Sequence, residues 1–156
     1  MPEASIVGPQ DGEVVLPGPV QVRMVEDGSG TAHRLAVAIL TVPPHTDGPP
    51  AHWHQKHDET FYVLAGTARF TVGDTQRDAP AGTFVSVPTG AEHTFANPGD
   101  EPAILLNTFT PDLYVDYFRD LSKLAASGEM TADAILGVMA HYATYPAGSP
   151  APDTTE

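Results

Sequence analysis

From Val20 to Phe109 the chain falls into short runs rich in Val, Leu, Ile, Phe and Thr, parted by clusters of Gly, Pro and Asp. This punctuation is the pattern of an all-β sandwich or barrel. Strands are predicted over residues 20–25, 33–42, 50–54, 58–64, 67–72, 82–87, 92–97 and 103–109. Gly73-Asp74, Pro80-Ala81-Gly82, Pro88-Thr89-Gly90 and Asn97-Pro98-Gly99-Asp100 supply turn chemistry between several of them.

The character changes at Thr110-Pro111-Asp112. A hydroxyl N-cap, a proline at the first helical position and an acid near the positive helix end predict a helix start there. Leu113, Tyr117, Leu121 and Leu124 then recur at helical spacing, forming an apolar face that ends before Ser127-Gly128. A second helix is predicted from a Thr131 cap to about Tyr142, with Ile135, Val138, Met139 and Tyr142 available for packing. Both helices are short and need the barrel, each other or a second subunit as a packing surface. The expected organisation is an N-terminal arm over 1–19, a barrel over 20–110, C-terminal helices over 111–145 and a disordered tail over 146–156.

At 156 residues the chain fits one domain, and a fold of that size buries about 68–70% of its unfolded surface. It has no cysteine, so any metal must be held by nitrogen and oxygen. Seven Lys and Arg stand against twenty Asp and Glu, a formal net charge of −13. An acidic surface of this kind repels phosphate backbones and anionic lipid headgroups, so neither nucleic acid nor membrane is expected as a partner. The first nineteen residues lack the basic and apolar regions of an export signal, and no run approaches bilayer length. The expectation is a soluble, cytoplasmic protein.

Four of the seven histidines fall in two patches. The first reads His52-Trp-His54-Gln-Lys-His57-Asp-Glu59. Residues two apart on a strand share a face, so His52 and His54 can aim both imidazoles into one cavity, while Trp53 points away and packs. Glu59 is an odd number of residues beyond His54, so a turn over Gln55 to Asp58 must intervene if the carboxylate is to return to the same place. The second patch reads Pro88-Thr-Gly90-Ala-Glu-His93-Thr-Phe-Ala-Asn97. Pro88 and Gly90 make a turn, and His93 starts the returning strand, where it can supply a third nitrogen. Glu92 alternates to the other face and is expected in solvent. His33, His45 and His141 carry no motif and read as ordinary surface or structural histidines.

The two patches resemble the two signature motifs of the cupin superfamily. His52, His54, Glu59 and Gly66 match the first motif, and Gly82, Pro88, Gly90, His93 and Asn97 match the second, with fifteen residues between the motifs. Gly48 departs from the pattern, lying three residues before the histidine pair rather than five, which affects only the entry loop. The resemblance covers residues 33–109 and implies a double-stranded jelly-roll barrel followed by one or two C-terminal helices. It also implies one divalent ion (Fe, Mn, Ni, Co, Cu or Zn) ligated by His52, His54, Glu59 and His93, with about two positions open in an octahedral field. The spacing from Glu59 to Gly66 favours the carboxylate as the fourth ligand. His57 is then a loop residue near the mouth or a hydrogen-bond donor behind the ligands; the alternative is a three-histidine face of His52, His54 and His57 with Glu59 behind it. Phe61, Val63, Phe84, Phe95 and Leu105 are candidates for the substrate pocket wall, each with plain core as the alternative.

Within the superfamily, the run from His52 to Leu64 and the helical tail resemble the small cupins related to quercetin dioxygenase. That resemblance implies a metal-dependent dioxygenase acting on a small enolisable or aromatic, flavonol-like compound with dioxygen, and Glu59 as the catalytic proton acceptor. Two alternatives remain open: a non-redox isomerase, lyase or decarboxylase, and a non-catalytic small-molecule-binding cupin. A homodimer is also expected from the family.

Overall fold

The structure is a computed structural model that describes residues 3–112 and 114–152. In chain order its strands are β1 (Glu13–Val15), β2 (Gln21–Glu26), β3 (Ala36–Val42), β4 (Thr46–Asp47), β5 (His52–His54), β6 (Asp58–Ala65), β7 (Thr67–Val72), β8 (Thr75–Pro80), β9 (Phe84–Val87), β10 (His93–Asn97) and β11 (Ala103–Thr110). Helices α1 (Val115–Ser127) and α2 (Ala132–His141) follow, and β12 (Thr144–Pro146) closes the described chain. One antiparallel sheet has the order β1-β2-β3-β11-β6-β9; the other has β12-β5-β10-β7-β8, with β4 paired to β10. The two sheets face each other as a jelly roll. No described helix is long and apolar enough to cross a membrane.

Strict alternation builds the core. Ala36, Ala38, Leu40 and Val42 of β3 point inward while their neighbours are half-buried. Phe61 and Val63 of β6, Leu105 and Phe109 of β11, and Phe70 and Phe95 of the second sheet meet them between the layers. Each large side chain so buried contributes about 1.5–3 kcal/mol relative to exposure. Gly66 turns β6 into β7 at φ +70, and a Cβ there would collide with the Pro102 carbonyl, so this corner requires glycine.

Several local expectations are corrected. Thr110 does not cap a helix: it stays extended, paired with Asp58 at the end of the β11–β6 ladder, and α1 begins five residues later, after an N-cap at Tyr114. Tertiary pairing overrides a local capping signal here. Leu113, expected on the apolar face of that helix, lies outside the described residues. Tyr117 and Leu121 do face the core, and the helix ends at Gly128 with φ 75, as its sequence indicates. Helix α2 starts as expected, with the Thr131 side chain accepting from the Ala134 N–H.

The arm is not merely laid over the surface. Its β1 pairs with β2, and Arg119 of α1 bridges Glu13, Asp27 and Asp116. Nor is the start of the tail free. Thr144–Pro146 pair with β5, Ala147 N–H donates to the Ala51 carbonyl at 2.9 Å, and Gly148 N–H donates to the exposed Glu92 carboxylate at 2.6 Å. Residues 153–156 of the expected tail lie outside the described residues. The strands β1, β4 and β12 are too short for alternation to register. In β8, which was not expected, only Ala79 is buried, so its sequence shows no apolar pattern.

Asn97 ties the two sheets at one end. Its side chain, 1% exposed, donates to the Val42 carbonyl at 3.0 Å and the Glu101 carbonyl at 2.7 Å, and accepts from Gly99 N–H at 3.0 Å. Replacing Asn97 by Ala leaves these groups without their partner, and urea unfolding should show a loss of about 2–4 kcal/mol. A midpoint unchanged from the wild type would show that this tie contributes nothing.

Candidate metal centre

The β5–β10 ladder sets His52 directly opposite His93, so both side chains share the inner face of the second sheet. His54 lies two residues along the same strand. The chain then leaves that sheet over residues 55–57 and enters β6 of the first sheet, where Glu59 points inward beside Phe61 and Val63. The turn required by the odd spacing is thus the crossing from one sheet to the other. Gly90 N–H donates to the His54 carbonyl at 2.8 Å, fastening the Pro88–Gly90 turn against the ligand strand.

The donor atoms of His52, His54, Glu59 and His93 all lie within 4.8 Å of one another, and all four residues are buried. Opposed ligands at metal bonds of about 2.1 Å stand roughly 4.2 Å apart. The quartet can therefore close on one ion with movements of about half an ångström.

Hydrogen bonds on the far side of each imidazole decide which nitrogen faces the centre. His52 Nδ1–H donates to the Pro50 carbonyl at 2.9 Å, and His93 Nδ1–H donates to the Ala91 carbonyl at 3.0 Å. Nδ1 of His54 meets the Thr144 hydroxyl at 2.8 Å. All three Nε2 atoms are left for the centre, an arrangement that suits a histidine-ligated cation. Glu59 Oε2 lies 3.0 Å from His54 Nε2 and 2.9 Å from His93 Nε2, while Oε1 accepts from Asn107 Nδ2 at 2.9 Å.

The electrostatics follow from burial and from this carboxylate. Burial, helped by the neighbouring His93 and His54, lowers the His52 pKa to about 4, so its imidazole is neutral near pH 7. Burial also acts downward on His93, but the hydrogen bond and charge of Glu59 outweigh it and raise the pKa above the ordinary histidine value. For Glu59, burial acts to raise the pKa, yet the hydrogen bonds and charges of His54 and His93 overcome it and keep the group ionised.

Above the quartet opens a cavity of about 500 Å³, reaching from His52, Glu59, His93 and Asn107 to the two helices and the Pro17–Val20 segment. Its walls are mainly apolar: Val22, Leu40, Phe95, Phe118, Ile135 and Met139 are among them. Among the described residues, no lysine or arginine lines it. Tyr114 and Tyr117 also face it, their rings stacked at 4.4 Å. Burial raises the pKa of Tyr114 well above that of a free phenol and of Tyr117 to about 12, so both stay neutral.

The expected pocket walls need sorting. Phe95 lines the cavity. Phe61, Val63 and Leu105 are 1%, 0% and 0% exposed and belong to the core below it. Phe84 is 61% exposed, because its register opposite Tyr62 places it with that residue on the outer face of the sheet. His57 is a loop residue as expected, but it is buried rather than at the mouth. Its ring packs 4.2 Å from His54 and 5.2 Å from Tyr114, and neither ring nitrogen has a hydrogen-bond partner among the described residues. Burial lowers its pKa to about 3, so it is a neutral packing surface for His54. Trp53 turns away from the quartet and packs on Tyr145 at 4.9 Å.

Sequence reasoning missed Asn107, Thr144, Tyr114 and Tyr117. Asn107 had a signal: on the inward face of β11 it is the one polar residue in the series Ala103, Leu105, Asn107, Phe109.

Residues 38–109 match the cupin-domain family. The chain is 36% identical over 87 residues to the oxalate decarboxylase OxdC of Bacillus subtilis (strain 168), covering 53% of this chain but only 22% of that protein's length. It superposes on a predicted oxalate decarboxylase of Thermotoga maritima with a TM-score of 0.63 at 18% identity, over 69% of this chain and 99% of that one. The oxalate decarboxylase of Lactobacillus farciminis, in its formate complex, gives a TM-score of 0.56 at 27% identity, over 65% and 32% of the two chains. With its two facing antiparallel sheets and the buried three-histidine, one-glutamate group between them, the chain has a jelly-roll fold in which residues 38–109 are similar to the cupin-domain family.

Proposed function

We propose that this chain holds one divalent transition-metal ion on His52, His54, Glu59 and His93 and uses it as a dioxygenase for a small, apolar, enolisable or aromatic compound. The observation that carries the substrate side is the cavity: about 500 Å³ of largely apolar wall with no lysine or arginine among the described residues, ending at His52, Glu59 and His93. A bound divalent ion would supply Lewis acidity toward an enol oxygen and, for a redox-active metal, access to dioxygen chemistry. The net charge of such a site, +2 from the ion and −1 from Glu59, suits one anionic oxygen.

The chain's own residues provide the rest. Asn107 gives both Nδ2 protons away, to Glu59 Oε1 at 2.9 Å and to the Thr60 carbonyl at 3.0 Å. Its Oδ1 is buried without a partner among the described residues, and the residue lines the cavity. A substrate hydroxyl can fill that role, which favours an enol or phenol over a bare hydrocarbon. Glu59 is within the same end of the cavity and accepts the proton released there. Tyr114 and Tyr117 stay neutral and hold the wall without adding charge, while the helices keep water from the polar end.

A second reading has its own support. The 36% identity to an oxalate decarboxylase favours decarboxylation of a small acid, the alternative in which the metal acts as a Lewis acid. Burying a dianion such as oxalate beside an apolar wall, with no lysine or arginine to pair it, costs several kcal/mol and weighs against that substrate here.

Three outcomes follow. Purified protein should retain one equivalent of metal, and His93→Ala or Glu59→Ala should reduce retention to a few per cent by elemental analysis with circular dichroism unchanged. Full retention in both variants would end the metal reading. Retention should also weaken on acidification. The raised pKa of His93 has it take up a proton at a higher pH than an ordinary histidine, so affinity drops about tenfold per pH unit below that titration, whereas the lowered pKa of His52 delays its own proton to near pH 4. A chelator competition series from pH 8 to 4 measures both slopes, and a flat profile contradicts the assignment. In oxygen-electrode assays on flavonols, enols and β-diketones, protein loaded with iron, cobalt or nickel should consume dioxygen stoichiometrically with substrate. Zinc-loaded protein should be inactive, and turnover by zinc without oxygen uptake would favour the second reading.

A further inference from the structure

Two of the three imidazoles are oriented by carbonyls of the second sheet's own loops, each two residues before the histidine it holds. His54 is different. Its Nδ1 meets the hydroxyl of Thr144, ninety positions away in the sequence, on β12 just after helix α2. Thr144 is fully buried, and it lies opposite His54 in the β12–β5 ladder.

The chemistry of the partner matters. A carbonyl only accepts, so Pro50 and Ala91 fix His52 and His93 with Nδ1 protonated and Nε2 facing the centre. A hydroxyl both donates and accepts, so its own surroundings decide what it does. Thr144 Oγ1 donates to the Tyr142 carbonyl at 3.2 Å, which leaves a lone pair for His54 Nδ1–H. That carbonyl belongs to the C-terminal cap of α2, and Tyr142 is further tied to α1 by its hydroxyl, which donates to Asp120 at 2.5 Å. Tyr142, tied to α1 by its side chain and to Thr144 by its carbonyl, therefore links the helix pair over the cavity to one ligand of the quartet. Thr144 lies outside residues 38–109, in the C-terminal addition to the cupin domain.

We propose that Thr144 is a positioning residue for the metal centre: by accepting from His54 Nδ1–H it turns His54 Nε2 toward the ion, and so makes helix α2 and β12 part of the metal site. The proposal rests on the four-ligand reading above. It also gives the helices a task beyond roofing the cavity, since any motion that withdraws β12 releases His54 to the wrong tautomer. The two carbonyl-held histidines would keep their orientation in that event, so the effect is confined to one ligand of three.

The test uses the full chain as wild type, Thr144→Val and Thr144→Ser, with Zn²⁺ as the probe. Zinc affinity is measured by chelator competition, and long-range ¹⁵N spectra of histidine-labelled, zinc-loaded protein report which ring nitrogen carries the proton. Thr144→Val should bind zinc about 10–100-fold more weakly and lose the Nδ1–H signature at one histidine only, while Thr144→Ser stays within about threefold of wild type. Thr144→Ala, read the same way, serves if valine disturbs the β12 pairing. Wild-type affinity and an unchanged His54 tautomer in the valine and alanine variants would overturn the role of Thr144 while leaving the metal site standing. A wild-type protein that takes up no zinc would overturn the metal site and this proposal together.

Discussion

A carboxylate held between two sheets has to be neutralised, and the arrangement around Glu59 exists to do that. Glu59 is 4% exposed and projects from the first sheet toward three imidazoles of the second, with Asn107 holding its other oxygen. Isolated burial of such a charge would cost far more than a small domain can offset, so the histidines and Asn107 must arrive with it. Their arrival depends on the pairing of His52 with His93 across β5 and β10, on the sheet crossing at residues 55–57, and on the inward register of β11. Disturbing any of these would expose an uncompensated charge in the core.

The rest of the molecule can be understood as support for that polar point. Asn97 ties the sheets together at one end through its bond to the Val42 carbonyl and fastens the following loop with two more, and the aromatic cluster of Phe61, Phe70 and Phe95 fills the space beside the histidines. On the other side the two helices and the Pro17–Val20 segment roof an apolar cavity. A polar, charged floor beneath an apolar chamber lowers the local dielectric, which strengthens the pull of a cation on a substrate oxygen. Among the described residues the chamber offers no lysine or arginine to pair with a second anionic group. This is why likeness to oxalate decarboxylases and the character of the cavity point in different directions, and why the side chains on the wall, which a shared fold leaves free to vary, carry more weight for substrate class.

Much of the fold was legible because alternation is a direct consequence of strand geometry. Eight runs rich in Val, Leu, Ile, Phe and Thr became strands within a few residues of their predicted limits, and Thr131 capped α2 as its hydroxyl and spacing indicated. Errors arose where a local signal met a competing tertiary contact. Thr110 and Pro111 read as a helix start, but pairing with Asp58 kept Thr110 in its strand. Residues 146–148 read as tail, yet β5, the Ala51 carbonyl and Glu92 hold them. Phe84 read as pocket wall because parity within its own strand could not be referred to β6 until the Tyr62 pairing was known.

The sequence by itself marked His52, His54, Glu59 and His93 as candidate donors, through their residue types and the resemblance of their two patches to known motifs, and the absence of cysteine left only nitrogen and oxygen donors. It also indicated that these residues would lie on or beside strands, because short runs rich in Val, Leu, Ile, Phe and Thr parted by turn residues surround them. Only the tertiary structure decided that Asn107 would brace Glu59, that Thr144 would reach His54 across ninety positions, and that the helices would close an apolar chamber over the quartet. The physical reason is one of range. Periodicity and turn chemistry act between neighbours in the chain, whereas hydrogen-bond partners and cavity walls are chosen by which strands and helices the packed core brings together.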